Sequence, residues 1–257
     1  MVAQGAPAPS TALISPLRSA GRSDEVVQRI REAIHLGLVV DGEQLPTEAE
    51  FATQLGVSPM TLREALAVLR EQGLVETRRG RTGGTFVRRP ASPPRAPLEA
   101  RLRATTVTEL RDLADEQLAV SGTSARLAAE RASAASLRRL LNLVEQLSRA
   151  DGLGARIRAD SRFHIEVAIA SQSERLTRHE VDLQAGTAGL LWLAHGDGTP
   201  VDKVVEEHHA IATAIAEEDG DRARVLAERH VQGNLRRMIE LHLRLTEHES
   251  DEVADGG

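Results

Sequence analysis

The stretch from Gly56 to Val87, GVSPMTLREALAVLREQGLVETRRGRTGGTFV, decides the fold. Ser58 has the chemistry of a helix N-cap, and Pro59 suits the first helical position, where a missing N–H and a fixed φ cost little. The helix they start runs to about Gln72 and stops at Gly73. Leu62, Ala65, Leu66 and Leu69 share one face, while Pro59, Met60, Arg63, Ala67 and Arg70 share the other, so one face packs and the other is offered outward. Leu74 to Arg78 and Thr85 to Arg88 are β-like segments around the glycine-rich turn Gly80 to Gly84, the pattern of a two-stranded hairpin.

Working toward the N-terminus, Val26, Val27, Ile30, Ala33, Ile34 and Leu38 follow a 3.6-residue spacing that predicts an amphipathic helix ending near Gly37. Leu45-Pro46 stops any helix. Thr47-Glu48-Ala49-Glu50 is a capping-box pattern that starts another, through about Leu55 and closed by Gly56. Helix, helix-turn-helix and hairpin make residues 23–89 a winged helix-turn-helix, with 1–22 a loose tail. Toward the C-terminus, four prolines among residues 89–97 mark a linker, taken as 90–105. Long Ala/Leu/Val/Ile helical patterns then fill 106–246, broken at 151–154, 171–174 and 196–200, which predicts a helical bundle. The acidic residues 247–257 read as a second frayed tail. The fold class is mainly α.

Composition limits what such a chain can do. It has 257 residues, 41% hydrophobic and 27% charged, which is globular composition. Three phenylalanines, one tryptophan and no tyrosine leave a core of Ala, Leu, Val and Ile, suited to close helix packing. The absence of cysteine rules out disulfides, thiolate metal sites and cysteine nucleophiles. No apolar stretch reaches the roughly 18 residues of a membrane span, and the first residues lack a secretory pattern, so a cytoplasmic protein without membrane contact is expected.

A net charge of −6 argues against coating nucleic acid by bulk charge, so any such contact must be local. A local patch exists. No acidic residue occurs between Thr77 and Leu98, a span that holds Arg78, Arg79, Arg81, Arg88, Arg89 and Arg95. Arginines, Ser/Thr hydroxyls and helix N-terminal amides bind phosphate, and glycines let a wing approach a groove closely. The candidate DNA contacts are therefore Thr47, Ser58, Pro59, Met60, Thr61 and Arg63 in the helix-turn-helix, with Arg79, Gly80 and Arg81 in the wing. The run from Gly42 to Phe86, GEQLPTEAEFATQLGVSPMTLREALAVLREQGLVETRRGRTGGTF, resembles the DNA-binding domain of the GntR family of bacterial transcription regulators, over Asp24 to Val87 without a gap. Many members carry arginine where this chain has Ala49 and Pro59. Met60 thus becomes a candidate for contact with a thymine methyl, and readout shifts toward Arg63 and the wing.

In the helical region, Asp160 and His164 of ADSRFHIEV lie four apart and project from one helix face, where such a pair can chelate a metal or simply make an ion pair. Together with Glu207-His208, Ala214 to Asp219 and His230, the pattern resembles the FCD-type effector domain of the FadR-like GntR branch, an antiparallel all-helical bundle. That resemblance implies a divalent Zn, Ni, Mn or Fe ion on Asp160, His164, His208 and His230, meeting a small organic acid. Three imidazoles and a carboxylate suit these metals, with open positions for a ligand oxygen. His209 points about 100° away from His208 and is a spectator. Members often show Arg-x-x-x-Glu where this chain has Gln117 and Ser121, an amide in place of a guanidinium in the effector pocket. Trp192 either lines that pocket or packs between helices.

The implied function is a homodimeric, effector-responsive transcriptional regulator, a repressor, on a palindromic double-stranded operator. One alternative keeps DNA binding but makes the ion structural or the signal itself. Another is a metal-dependent hydrolase with Glu166 or Glu207 as general base.

Overall fold

The computed structural model describes residues 23–80, 83–89, 94–195 and 201–255, with side chains to Glu247. The 1–22 tail, the 196–200 break, Arg81 and the proline-rich 90–93 lie outside the described residues. The chain divides into two compact units, Met1–Ala91 and Ser92–Gly257. The described residues hold ten helices and one two-stranded sheet.

The first unit contains α1 (Ser23–His35), α2 (Glu48–Leu55), α3 (Pro59–Glu71), β1 (Val75–Arg78) and β2 (Gly84–Val87). α1 buries Val26, Val27, Ile30, Ala33 and Ile34 against α3, which returns Leu62, Ala65, Leu66 and Leu69. The capping box at the start of α2 is complete: the Thr47 hydroxyl accepts from the Glu50 N–H, and the Glu50 carboxylate accepts from the Thr47 N–H. Gly56 closes α2 at φ 70°, a left-handed position that favours glycine. Only Val57 and Ser58 then separate this cap from α3. The Ser58 hydroxyl accepts from the Thr61 N–H at 3.0 Å, and Pro59 occupies the first turn.

β1 and β2 pair antiparallel, Val75 opposite Val87 and Arg78 opposite Gly84. Glycine closes the turn for a steric reason: a β-carbon on Gly83 would lie 2.6 Å from the Arg78 carbonyl oxygen. A third segment, not legible as a strand, pairs with the other edge of β2. The Leu45 N–H donates to the Thr85 carbonyl and the Val87 N–H to the Glu43 carbonyl, each at 2.9 Å. Local sequence marks only a helix stop at Leu45-Pro46, yet these residues tie β2 to the segment between α1 and α2.

The second unit contains α4 (Arg95–Ala104), α5 (Val107–Arg131), α6 (Ala134–Ser148), α7 (Leu153–Ala170), α8 (Glu174–His195), α9 (Val201–Ala216) and α10 (Gly220–Asp255). α5 lies along α10, α7 packs on α5, α6 and α8, and α9 on α6 and α10. Ala125, Ala128, Leu140, Leu143, Phe163 and Ile215 belong to one apolar cluster, and Leu102, Leu110, Leu190, Leu191 and Met238 to another.

Three expectations change here. The 90–105 segment is not an extended linker throughout, because residues 95–104 form α4, whose Leu102 is fully buried. Pro94 at the N-cap and Pro97 in the first turn sit where no intrahelical N–H is needed, so a proline-rich run starts this helix instead of preventing it. The 247–257 tail is helical to Asp255, since no Gly or Pro interrupts α10 after Gly233. Two further breaks occur at 132–133 and 217–219. The first has neither glycine nor proline and is set by Ser133 as N-cap of α6, and the second by Glu218 at φ 58°.

Leu62 is fully buried beneath the outward face of α3. Leu62→Ala is expected to cost about 2–5 kcal/mol by cavity formation. Chemical denaturation followed by circular dichroism will measure this.

Candidate functional site

From Ala159 to Ala170 every residue of α7 except Arg162 is buried, so Asp160 and His164 have no solvent to face. Asp160 and His164 stand one turn apart on it; α9 brings His208 and α10 brings His230 to the same point. One ligand atom from each residue lies within 4.8 Å of every other, and all four residues are buried. Asp160 Oδ1 is 3.4 Å from His208 Nε2 and 3.8 Å from His164 Nε2. Bonds of roughly 2.0–2.2 Å to a common ion would set ligand atoms at about such separations. His164 Nε2 and both ring nitrogens of His208 have no hydrogen-bond partner in the protein. Buried polar atoms left so are costly, and a cation shared among them satisfies them together. The donor set therefore fits a divalent transition ion.

Electrostatics agree with that fit. Burial holds His164 and His208 well below the usual histidine range, with His230 adding to it. Both rings are neutral at neutral pH, the form that binds metal. Burial pushes the Asp160 carboxyl up to about 6, against the opposing influence of His230 and of a hydrogen bond from the Trp192 indole. Trp192 is thus a partner of the carboxylate as well as core.

The His230 ring is held from both sides. Nδ1 meets Glu207 Oε2 at 2.7 Å, and Asn234 Nδ2 meets Nε2 at 3.0 Å. Arg237 in turn donates to the Asn234 amide oxygen. Carboxylate on Nδ1 is the arrangement that leaves Nε2 as the coordinating nitrogen and raises its basicity. An ion at that nitrogen requires Asn234 to release it. Burial raises the Glu207 carboxyl, but the His230 hydrogen bond and charge outweigh it and leave the pKa lowered. Glu207 is therefore engaged with His230, and Glu166 with Arg139 at 2.8 Å. His209 is exposed, 3.4 Å from Thr213.

Gln117 and Ser121 face inward from α5 and are buried. Ser121 Oγ donates to Glu180 Oε2 at 2.9 Å. Glu180 on α8 also accepts from Gln184 Nε2 at 2.9 Å, and burial is the main cause that raises its pKa. Sequence reasoning missed Glu180, Asn234 and the role of Glu207 toward His230. Glu207 shared a motif with His208 and Asn234 lies one turn from His230 on α10, whereas no spacing in one dimension marks Glu180.

The reading surface lies in the first unit. Pro59, Met60, Arg63 and Arg70 are exposed on α3, Met60 at 60%, and Ala67 is half-buried. Thr47 and Ser58 already use their hydroxyls as helix caps, and the Ser58 and Thr61 hydroxyls lie 2.9 Å apart. Arg63 is bound through Nε and Nη2 to Glu48 at 3.1 Å. In the wing, Glu76 holds Arg78 and Arg88, each at 2.7 Å, and Arg78 stacks on Phe86. Arg79 and Gly80 are exposed at the turn. The acidic partner Glu76 lies just outside the stretch that looked uniformly basic, and Glu48 lies on the preceding helix α2.

Residues 22–87 match the gntR family of bacterial regulatory proteins, and residues 112–233 match the FCD domain. The RmpR protein of Mycobacterium gastri, a candidate HTH-type transcriptional regulator, is 41% identical over 224 residues, spanning 86% of this chain and 82% of its own. A candidate L-lactate dehydrogenase operon regulatory protein of Escherichia coli K12 is 31% identical over 218 residues, 81% of this chain and 83% of its own. The solved structure of E. coli McbR/YncC has the same fold, with a TM-score of 0.51 at 18% identity over 85% of this chain and 97% of that one. The chain belongs to the GntR family: it is a DNA-binding transcriptional regulator with an FCD domain, and its relatives are regulators, not enzymes. No helix among the described residues is long and apolar enough to cross a membrane.

The depressed histidines predict a pH dependence for the metal-free protein. Native His164 and His208 stay neutral while their unfolded counterparts take up protons below 6.5, so their contribution to stability falls as pH drops through that value. Asp160, with its pKa raised from 3.8 to about 6, acts in the opposite sense between those values. Urea unfolding in chelator should give lower stability at pH 6 than at pH 7.5, and the difference should shrink in His208→Ala.

Proposed function

We propose that this GntR-family regulator is a homodimeric repressor of a palindromic operator, and that a small carboxylate bound at a divalent ion on Asp160, His164, His208 and His230 controls its affinity for DNA. The observation that carries the reading is the convergence of four buried ligand-type side chains from three helices with ring nitrogens left unsatisfied. When bound, the ion supplies a Lewis-acidic point for a ligand oxygen. The protein's own residues do the rest. Glu207 orients the His230 ring, Trp192 steadies the Asp160 carboxylate, and Phe163, stacked on His208 at 4.1 Å between ring centres, keeps one side of the centre dry. The name of the E. coli relative, which refers to an L-lactate dehydrogenase operon, supports a small acid as signal.

A route from centre to reader begins on α10. His230 and His242 stand on that helix about 18 Å apart, at 1.5 Å per residue. His242 Nδ1 meets the Leu102 carbonyl of α4 at 3.0 Å, and Met238 packs beside Leu102. A shift of α10 on effector binding is thereby passed to α4, the helix that follows the winged domain in the chain. On DNA, Arg63 reads a base edge after leaving Glu48, Met60 meets a thymine methyl, and the Thr47, Ser58, Pro59 and Thr61 helix starts face phosphate. Arg79, Gly80 and Arg81 bring the wing to the duplex. Gln117 and Ser121 border the effector.

Binding to DNA from upstream of the protein's own gene, measured against a panel of carboxylates with and without chelator, tests the proposal. His208→Ala and His230→Ala should abolish effector-dependent release and leave effector-free operator binding within about twofold of the parent, since the reader is a separate unit. His209→Ala should behave like the parent. Release that persists in both ligand mutants contradicts the metal-centred reading.

A further inference from the structure

A second basic point stands behind the tip of the wing. Side chains alternate along a strand and directly opposed residues share a face, so Glu76, Arg78, Phe86 and Arg88 lie on one face of the hairpin. Val75 and Val87 turn to the other face and are buried. Arg88 keeps the register beyond β2, its N–H donating to the Leu74 carbonyl at 2.8 Å. Glu76 joins the charged side chains of this face. Its Oε1 accepts from Arg78 Nε at 2.8 Å and meets Arg78 Nη2 at 2.7 Å, while its Oε2 meets Arg88 Nε at 2.7 Å. The Arg78 guanidinium is also fixed from the side, 4.2 Å from the centre of the Phe86 ring. The Arg78 hydrogen bond, with both guanidinium charges behind it, holds the Glu76 carboxyl below the usual carboxylate range.

Two guanidiniums that converge on one pair of oxygens are the donor set that recognises a phosphate. Here a carboxylate of the chain itself occupies it. The arginine side chains are 55% and 61% exposed against 28% for Glu76, so they reach further into solvent than the carboxylate between them. Arg79, next in sequence to Arg78, is exposed at the turn and places this face beside the wing tip. We propose that Arg78 and Arg88 form a phosphate-binding point on the wing, separate from its tip, and that Glu76 is a built-in competitor that lowers the affinity of this point for the DNA backbone. A phosphate arriving there either displaces the carboxylate and leaves it facing a like charge, or meets guanidiniums already partly neutralised. Both costs fall on DNA of any sequence, because phosphate contacts carry no base information. The device involves neither the metal centre nor an effector.

The test uses the full chain and a duplex of unrelated sequence, with Kd measured by fluorescence anisotropy across a salt series. Glu76→Gln should tighten binding at least about threefold and steepen the slope of log K against log salt by roughly 0.9 for each arginine released to a phosphate. The double variant Arg78→Ala/Arg88→Ala should bind more weakly than the parent, and adding Glu76→Gln to it should change affinity by less than about twofold, the residue of a screened surface charge. Thermal unfolding checks that each variant is folded. Should Glu76→Gln fail to fold, Arg88→Ala, which lies beyond β2, carries the test through a shallower salt slope than the parent. Unchanged or weaker binding by folded Glu76→Gln, an equal gain in both backgrounds, or a parental slope in Arg88→Ala overturns the proposal.

Discussion

The interior of the helical unit contains a carboxylate and three imidazoles within contact of one another, and the cost of keeping them from water is the constraint on which the rest depends. A buried polar atom without a partner costs of the order of 1–3 kcal/mol. His208 leaves two such atoms and His164 one. The surrounding protein does not supply the missing bonds; it aligns the rings around a common point. Glu207 holds the outer nitrogen of His230, Asn234 holds the Nε2 that an ion would take, Trp192 engages the Asp160 carboxylate, and the apolar face of Phe163 covers His208. Helix packing alone would be better served by leucines at these four positions, as it is at Leu140 and Leu147. Their convergence on one point from three helices, with ring nitrogens left unpaired, is what points to a ligand.

The reader obeys a different constraint, that of precise termini on short helices. Thr47 with Glu50, Gly56, and Ser58 with Pro59 fix the ends of α2 and α3 within a few residues of one another. With both ends set, the apolar stripe of α3 leaves Met60 and Arg63 outward. The acidic residues Glu48 and Glu76 hold basic side chains that sequence inspection counts as available, so part of the positive surface is committed in the DNA-free protein. Exposed pairs of this kind are weak, and phosphate can replace the carboxylate.

Most of the architecture could be read from local chemistry. The capping box at Thr47, the Ser58-Pro59 start and the periodicity of α1 and α3 each specify structure within a few residues, and all three helices form where they point. What local chemistry does not specify is pairing across distance. Residues 42–45 join β2 because Leu45 is buried beside it, a tertiary fact. Pro94 and Pro97 looked like linker residues because their tolerance in a first helical turn depends on Leu102 finding a core. At the site, Asp160 and His164 share a helix face and were legible together, whereas His208 and His230 followed only from family resemblance. Glu180 had no signal of either kind, since it is defined by what it touches on another helix, and Asn234, one turn from His230 on α10, is an amide that nothing in the sequence distinguishes from other surface-type polar residues.

The most direct measurement of the central claim is X-ray absorption spectroscopy on protein purified without chelator and quantified by elemental analysis. The account predicts one divalent transition ion per chain, with the outer-shell scattering of imidazole rings from three histidines and a light oxygen contribution, and loss of that signature in His230→Ala. Substoichiometric metal in the parent protein, or a bound ion whose spectrum lacks imidazole scattering, would contradict it.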